Sequence, residues 1–216
     1  MPSNQEWESF WKTGDTGWHS KNVHPMLEKY AGRFLNDQSN CRVFIPLCGK
    51  TVDMKWLADL GHDVVGAEIA KMPILNFFEE QSIEYVKESV PEIPGATRYK
   101  SKDGKITIYE ADLFSMKKDI IGQFDCIWDR GSLVAMEKAD RQKYICTMIP
   151  LMASDCRYLL AVYDYDSTKA SGPPFDVPNS VVAELYEPTC VVEKLDTSKY
   201  GPFEDCVRTV FLLKPN

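Results

Sequence analysis

What the 216-residue chain lacks narrows its function first. It has three histidines, His19, His24 and His62, with no second ligand at metal spacing beside them, so no metal is assigned. Its seven cysteines (41, 48, 126, 146, 156, 190, 206) are odd in number and include no CxxC pair. Several sit in apolar runs, so buried reduced thiols are expected rather than a disulfide framework. Positive charge is scarce: 25 Lys and Arg face 32 Asp and Glu, a net −7. Nucleic-acid binders neutralise phosphates with Lys and Arg, so no nucleic-acid partner is expected. No apolar run is long enough to span a bilayer, so no membrane is expected either. The first twenty residues carry Glu6, Glu8, Lys12 and Asp15 without an apolar core, so no signal peptide is visible and a cytoplasmic protein is expected.

What is present reads as one globular domain over residues 1–216, 44% hydrophobic and 26% charged. Trp7, Phe10 and Trp11 stand at i, i+3, i+4, the apolar stripe of a helix, and Gly14 and Gly17 end the pattern. A second amphipathic helix follows Pro25. Strands are expected at 42–47, 63–68 (DVVGAE), 105–110 (KITIYE), 124–128 (FDCIW) and 158–163, with closing strands near 189–195 and 206–213. Helices are expected around 54–60, 74–78, 139–152 and 181–186. Residues 87–104, rich in Pro, Gly and charge, read as loop, as does SGPPFDVP at 171–178. Strands alternating with helices imply a parallel sheet covered on both faces, and the last two strands, with no helix between them, imply an antiparallel pair.

In such a sheet the ligand sits at the carboxyl ends of the strands. The first strand runs into RVFIPLCGK (42–50), a loop with one glycine where a dinucleotide fold has several. Pro46 has no N–H, and side chains at 47 and 48 oppose a close backbone approach to a pyrophosphate. CGKT (48–51) is not a phosphate loop, because the required glycine five residues before Gly49 is Phe44. A nucleoside without phosphates fits better. Glu68 ends the second strand 19 residues after Gly49, the spacing of an acid that accepts from ribose hydroxyls. Asp112, after KITIYE, suits either an adenine amino group or a helix cap. Cys48 reads as a packing residue, since only His62 is near it in sequence as a partner for a nucleophile.

WESFWKTGDTGWH (7–19), RVFIPLCGKTVDMKWLADLGHDVVGAEI (42–69), FDCIWDRGSLVA (124–135) and GPPFDVP (172–178) together resemble the thiopurine S-methyltransferase family, in order and over most of the chain. The resemblance implies a Rossmann-like α/β class I methyltransferase fold. Its sheet would have seven strands, mostly parallel, with the last antiparallel, helices on both faces and lid helices over 1–36. It also implies S-adenosylmethionine as cofactor, with S-adenosylhomocysteine as product. Trp7, Trp11, Leu47, Gly49, Glu68, Asp112, Leu113 and Arg130 would contact the cofactor. Trp18, Arg130, Pro173, Pro174 and Phe175 would meet the acceptor. Without the resemblance, Trp7, Phe10 and Trp11 are an ordinary core stripe; a lid helix that buries its stripe on a ligand satisfies both readings. The chain departs from the vertebrate pattern at Trp18, where that pattern has Phe. The segment from Glu193 to Cys206 is also shorter, with no clear counterpart to a basic residue the vertebrate enzyme offers to substrate there.

The implied chemistry is direct in-line displacement by a soft nucleophile, with Arg130 favouring the thiolate. Asp129 either orients Arg130 or accepts a proton, or is a structural carboxylate at a strand end. A small-molecule thiol is the expected partner and the chain is expected to be a monomer. Alternatives are methyl transfer to small inorganic anions, a nicotinamide oxidoreductase, which the glycine-poor loop opposes, and a nucleoside-binding protein without turnover.

Overall fold

The computed structural model describes residues 4–201 and 205–216. The first three residues of the 1–36 lid segment, and 202–204 within the shortened segment before Cys206, lie outside them. The chain packs as two compact units, residues 2–122 and 123–216.

The first unit opens with helix α1 (Asn4–Thr13), whose end is followed by Gly14 in the left-handed region at φ 78°. Helix α2 (Pro25–Leu35) is capped by the His24 imidazole, which accepts from the Met26 N–H, and Pro25 stands in its first turn. The His24 N–H donates to Asp53 Oδ1 at 2.9 Å, tying α2 to the start of α3 (Asp53–Asp59). Strands β1 (Arg42–Ile45), β2 (Asp63–Glu68) and β5 (Ile106–Glu110) run parallel in the order β5-β2-β1, with α4 (Lys71–Glu80) after β2. Their near-continuous apolar runs suit strands that are buried almost throughout. A 3-10 turn (Leu113–Ser115) and the short helix α5 (Lys118–Ile121) complete the unit.

Two strands depart from expectation. Residues 87–104 are not loop: β3 (Tyr85–Ser89) and β4 (Thr97–Ser101) form an antiparallel hairpin, and β4 pairs antiparallel with β5. The Pro- and Gly-rich stretch 90–96 is its turn, closed by the Val90 N–H donating to Ala96 O at 3.2 Å. Nine strands therefore occur among the described residues instead of seven, and this hairpin supplies the extra pair.

The second unit contains β6 (Phe124–Arg130), α6 (Arg141–Met148), β7 (Met152–Asp164), α7 (Asn179–Tyr186), β8 (Cys190–Lys199) and β9 (Val207–Pro215). β6 and β7 are parallel; β7 with β9 and β9 with β8 are antiparallel, as the closing strands predicted. The helix expected over 139–152 stops at Met148. Pro150 in the following 3-10 turn removes a helical donor, and Met152 already starts β7. No helix among the described residues is long and apolar enough to cross a membrane.

Candidate active site

In the first unit, β1 ends at Ile45, two residues earlier than expected, because Leu47 turns the chain at φ 45° and Gly49 follows at φ 51°. The loop is fixed to the neighbouring strand, with the Cys48 N–H donating to Ala67 O at 3.0 Å. Gly66 makes the room this requires: a Cβ there would lie 2.6 Å from Cys48 Sγ and 3.2 Å from Met54 Sδ. Cys48 is buried, and burial together with the charge of Glu68 pushes its thiol well up. It packs, as its sequence context suggested, and is poorly suited to act as a thiolate.

Glu68 is 6% exposed. Its Oε2 accepts from the Gly49 N–H at 2.9 Å and its Oε1 from the Ala70 N–H at 2.7 Å. Burial raises its pKa to about 7 against the opposing pull of these backbone donors. The strand spacing thus joins the glycine-poor loop to the acid directly. Trp11 closes over the same point: a Cβ on Gly49 would meet its Cζ2 at 2.9 Å and Glu68 Oε2 at 4.0 Å. Around Trp11 stand Trp18 (ring centroids 6.0 Å apart) and His19 (6.1 Å), while Trp7 touches Trp18 edge-on at 5.5 Å and Phe10 at 5.7 Å. The N-terminal stripe is therefore an aromatic cluster standing on the Gly49 loop. Asp112 is exposed and caps the 3-10 turn, its Oδ1 accepting from the Phe114 N–H at 2.9 Å. Leu113 beside it is buried.

In the second unit, Asp129 and Arg130 end β6 and part company. Asp129 is 0% exposed: Oδ2 accepts from the Tyr158 hydroxyl at 2.6 Å and the Tyr144 hydroxyl at 2.7 Å, and Oδ1 from the Leu133 N–H at 3.1 Å. Burial raises its pKa while these donors oppose the rise. Turned inward with its oxygens so engaged, it is bound into the packing at the strand end. Arg130 is half-buried, and its positive charge acts on the Tyr163 phenol, which burial nonetheless pushes up to about 12. Tyr163 stacks on Tyr200 (4.8 Å, 20° between planes), and Arg208, its register partner on β9, lies 5.1 Å over the Tyr200 ring.

The loop 171–178 is irregular, as expected, and is drawn to the segment after Arg130: the Phe175 N–H donates to Val134 O at 2.6 Å. Pro174 is exposed and Phe175 half-buried. The sequence did not single out Tyr144, Tyr158, Tyr163 or Arg208. The first three read there as apolar positions of a helix and a strand, and only the fold reveals where their hydroxyls go.

This arrangement of strands defines a class of protein. A 1,6-didemethyltoxoflavin N1-methyltransferase from Burkholderia thailandensis, solved with its substrate and S-adenosylhomocysteine, superposes with a TM-score of 0.69 at 13% identity, covering 99% of this chain and 87% of that one. The magnesium protoporphyrin IX methyltransferase of Synechocystis, solved with bound S-adenosylmethionine, gives 0.65 at 12% identity over 99% and 98%. The fold is that of the class I methyltransferases. A model of the thiopurine S-methyltransferase family matches residues 2–205. The thiopurine S-methyltransferase of Bos taurus is 45% identical over 93% of this chain and 81% of its own length. A probable thiopurine S-methyltransferase of Danio rerio is 45% identical over 89% and 83%. The chain belongs to the thiopurine S-methyltransferase family.

Proposed function

We propose that this chain is an S-adenosylmethionine-dependent S-methyltransferase acting on aromatic or heterocyclic thiols. The observation that carries the reading, in a chain of this family, is the buried Glu68 carboxylate bonded to the Gly49 N–H beneath Trp11. These residues suit an adenosine-bearing cofactor. A carboxylate offers about four acceptor sites, and the backbone donors of Gly49, Ala70 and Ile69 leave capacity for a ribose hydroxyl. The loop's side chains at 47 and 48 suit a nucleoside better than a diphosphate. Trp7, Trp11, Leu47, Gly49, Glu68, Asp112 and Leu113 hold the cofactor in this reading. When bound, S-adenosylmethionine supplies an electrophilic methyl that a thiolate takes by direct displacement, leaving S-adenosylhomocysteine.

The chain's own residues do the rest. Aromatic faces of Trp7 and Trp11 favour a nearby cation and exclude water. The Arg130 guanidinium, always charged, favours the thiolate form of the acceptor and holds it, and also borders the cofactor. Asp129 acts as a positioning residue: through the Leu133 N–H it holds the turn that presents Arg130. Trp18, Pro173, Pro174 and Phe175 wall the acceptor. In this reading residues 1–216 are a single S-adenosylmethionine-dependent methyltransferase domain, a cytoplasmic monomer whose partner is a small molecule and neither nucleic acid nor membrane. Sedimentation at assay concentration checks the monomer.

The test follows label from methyl-labelled S-adenosylmethionine into S-methyl-6-mercaptopurine, with Arg130→Ala as control. The expected result is turnover in the parent and, in the variant, a large fall in kcat/KM for the thiol with a much smaller loss of S-adenosylhomocysteine affinity. Equal loss of cofactor binding would remove Arg130 from the acceptor role. No turnover, with no stabilisation by S-adenosylhomocysteine against heat, would overturn the reading at its base.

A further inference from the structure

The loop 171–178 has no ladder of its own, so its place depends on a few hydrogen bonds. Besides the Phe175 N–H on Val134 O, the Val177 N–H donates to Tyr163 O and the Tyr165 hydroxyl to Pro174 O, each at 2.6 Å. A further tie is Arg141, the first residue of α6, only 6% exposed. Its Nη2 donates to Asp176 O at 2.6 Å and its Nε to Met136 O at 3.4 Å. One guanidinium thus bridges two backbone stretches: the end of the turn that follows Arg130, and the loop that carries Phe175. The Asp176 charge acts favourably on it, against a burial that lowers its pKa. A guanidinium stays charged and offers a planar fork of donors, so it fixes distance and angle between two carbonyls in a way a lysine's single ammonium does not. The Phe175 ring lies against the loop's start so closely that a Cβ on Gly172 would collide with it. The ring is carried by the backbone whose place these ties set.

We infer that Arg141 is a positioning residue for the methyl acceptor, setting the Phe175 wall against the turn that presents Arg130, with Tyr165 as the second anchor; this rests on the acceptor reading given above. A purely architectural role predicts something different. The guanidinium would then matter equally to folding, cofactor binding and acceptor binding.

The experiment measures kcat and KM for 6-mercaptopurine and thiophenol, the Kd of S-adenosylhomocysteine and the melting temperature for Arg141→Met, Arg141→Lys, Tyr165→Phe and Phe175→Ala. Expected for Arg141→Met is an acceptor KM raised at least tenfold, with kcat changed less and the S-adenosylhomocysteine Kd within twofold. Arg141→Lys should recover part of that loss, and Tyr165→Phe should raise KM several-fold. Acceptor KM within twofold of the parent in Arg141→Met overturns the inference. So does a loss shared in equal proportion by acceptor and cofactor affinity. If Arg141→Met does not fold, Tyr165→Phe decides by the same split. Phe175→Ala separates the two levels. If it leaves acceptor KM unchanged, the wall itself is misassigned; if it raises KM while Arg141→Met does not, only the role of Arg141 fails.

Discussion

Glu68 should make cofactor affinity depend on pH in the neutral range, where an ordinary glutamate would not. Its carboxyl titrates at about 7 because burial costs the ionised form more than the Gly49 and Ala70 N–H groups return. A ribose hydroxyl donating to it is held more strongly by the ionised form, so affinity rises with the ionised fraction. With a pKa of about 7 most of the group is ionised at pH 7.5 and about a tenth at pH 6.0, so S-adenosylhomocysteine should bind several-fold more weakly at the lower pH, with about eightfold as the upper bound. Folding responds with the opposite sign. A raised carboxyl pKa means that the folded chain holds this proton where the unfolded chain, titrating near 4.5, has released it. The group's contribution to stability is therefore greatest below 4.5 and falls as pH rises through 7, while ligand stabilisation grows over the upper part of that span. Calorimetric titration with S-adenosylhomocysteine from pH 6 to 8 reads the effect directly. Glu68→Gln should bind more weakly throughout, since one backbone donor meets an amide NH2, and should lose the slope. A parent Kd that is flat across this range, or an equal slope in the glutamine variant, would refute the reasoning.

Two further outcomes follow from the packing beside the candidate site. Gly66→Ala places a Cβ 2.6 Å from Cys48 Sγ, so it should cost about 1–3 kcal/mol in urea unfolding and weaken S-adenosylhomocysteine binding by displacing the loop. Cys48→Ala should keep turnover and should recover much of that loss in the double variant; strict additivity would show that the two do not share this space. Tyr144→Phe removes one hydroxyl from the buried Asp129 carboxylate and should cost about 1.5–3 kcal/mol with S-adenosylhomocysteine affinity unchanged. A loss below about 0.5 kcal/mol would mean that this hydrogen bond does not hold the charge.

The parts of the fold legible in the sequence are those whose burial is written in a short window. β1 and β2 are apolar nearly throughout, β5 and β6 carry the short apolar stretches ITIY and CIW, and their order with the helices gives a largely parallel arrangement before any contact is known. β3 and β4 escape because both are polar, YVKES and TRYKS, with β3 largely exposed, and their pairing is not written in a short apolar window. Tyr85, Tyr99 and Phe78 pack their rings together, and Glu88 pairs with Arg98 across the hairpin. The site divides along the same line. Glu68 was findable because a parallel strand pair fixes the distance from loop to acid, and the Gly49 hydrogen bond is what that spacing means physically. Asp129 was not assignable from its neighbours, yet strand geometry supplies the missing step. Successive residues of a strand point to opposite faces, so an acid and an arginine side by side at a strand end do not face the same ligand. One of WDR's two charges had to turn inward. Desolvation decides which: an inward Arg130 needs several acceptors, whereas an inward carboxylate needs donors, and Tyr144 and Tyr158 carry them at positions that otherwise read as apolar core. The same two tyrosines that complete the core therefore hold Asp129 inside it.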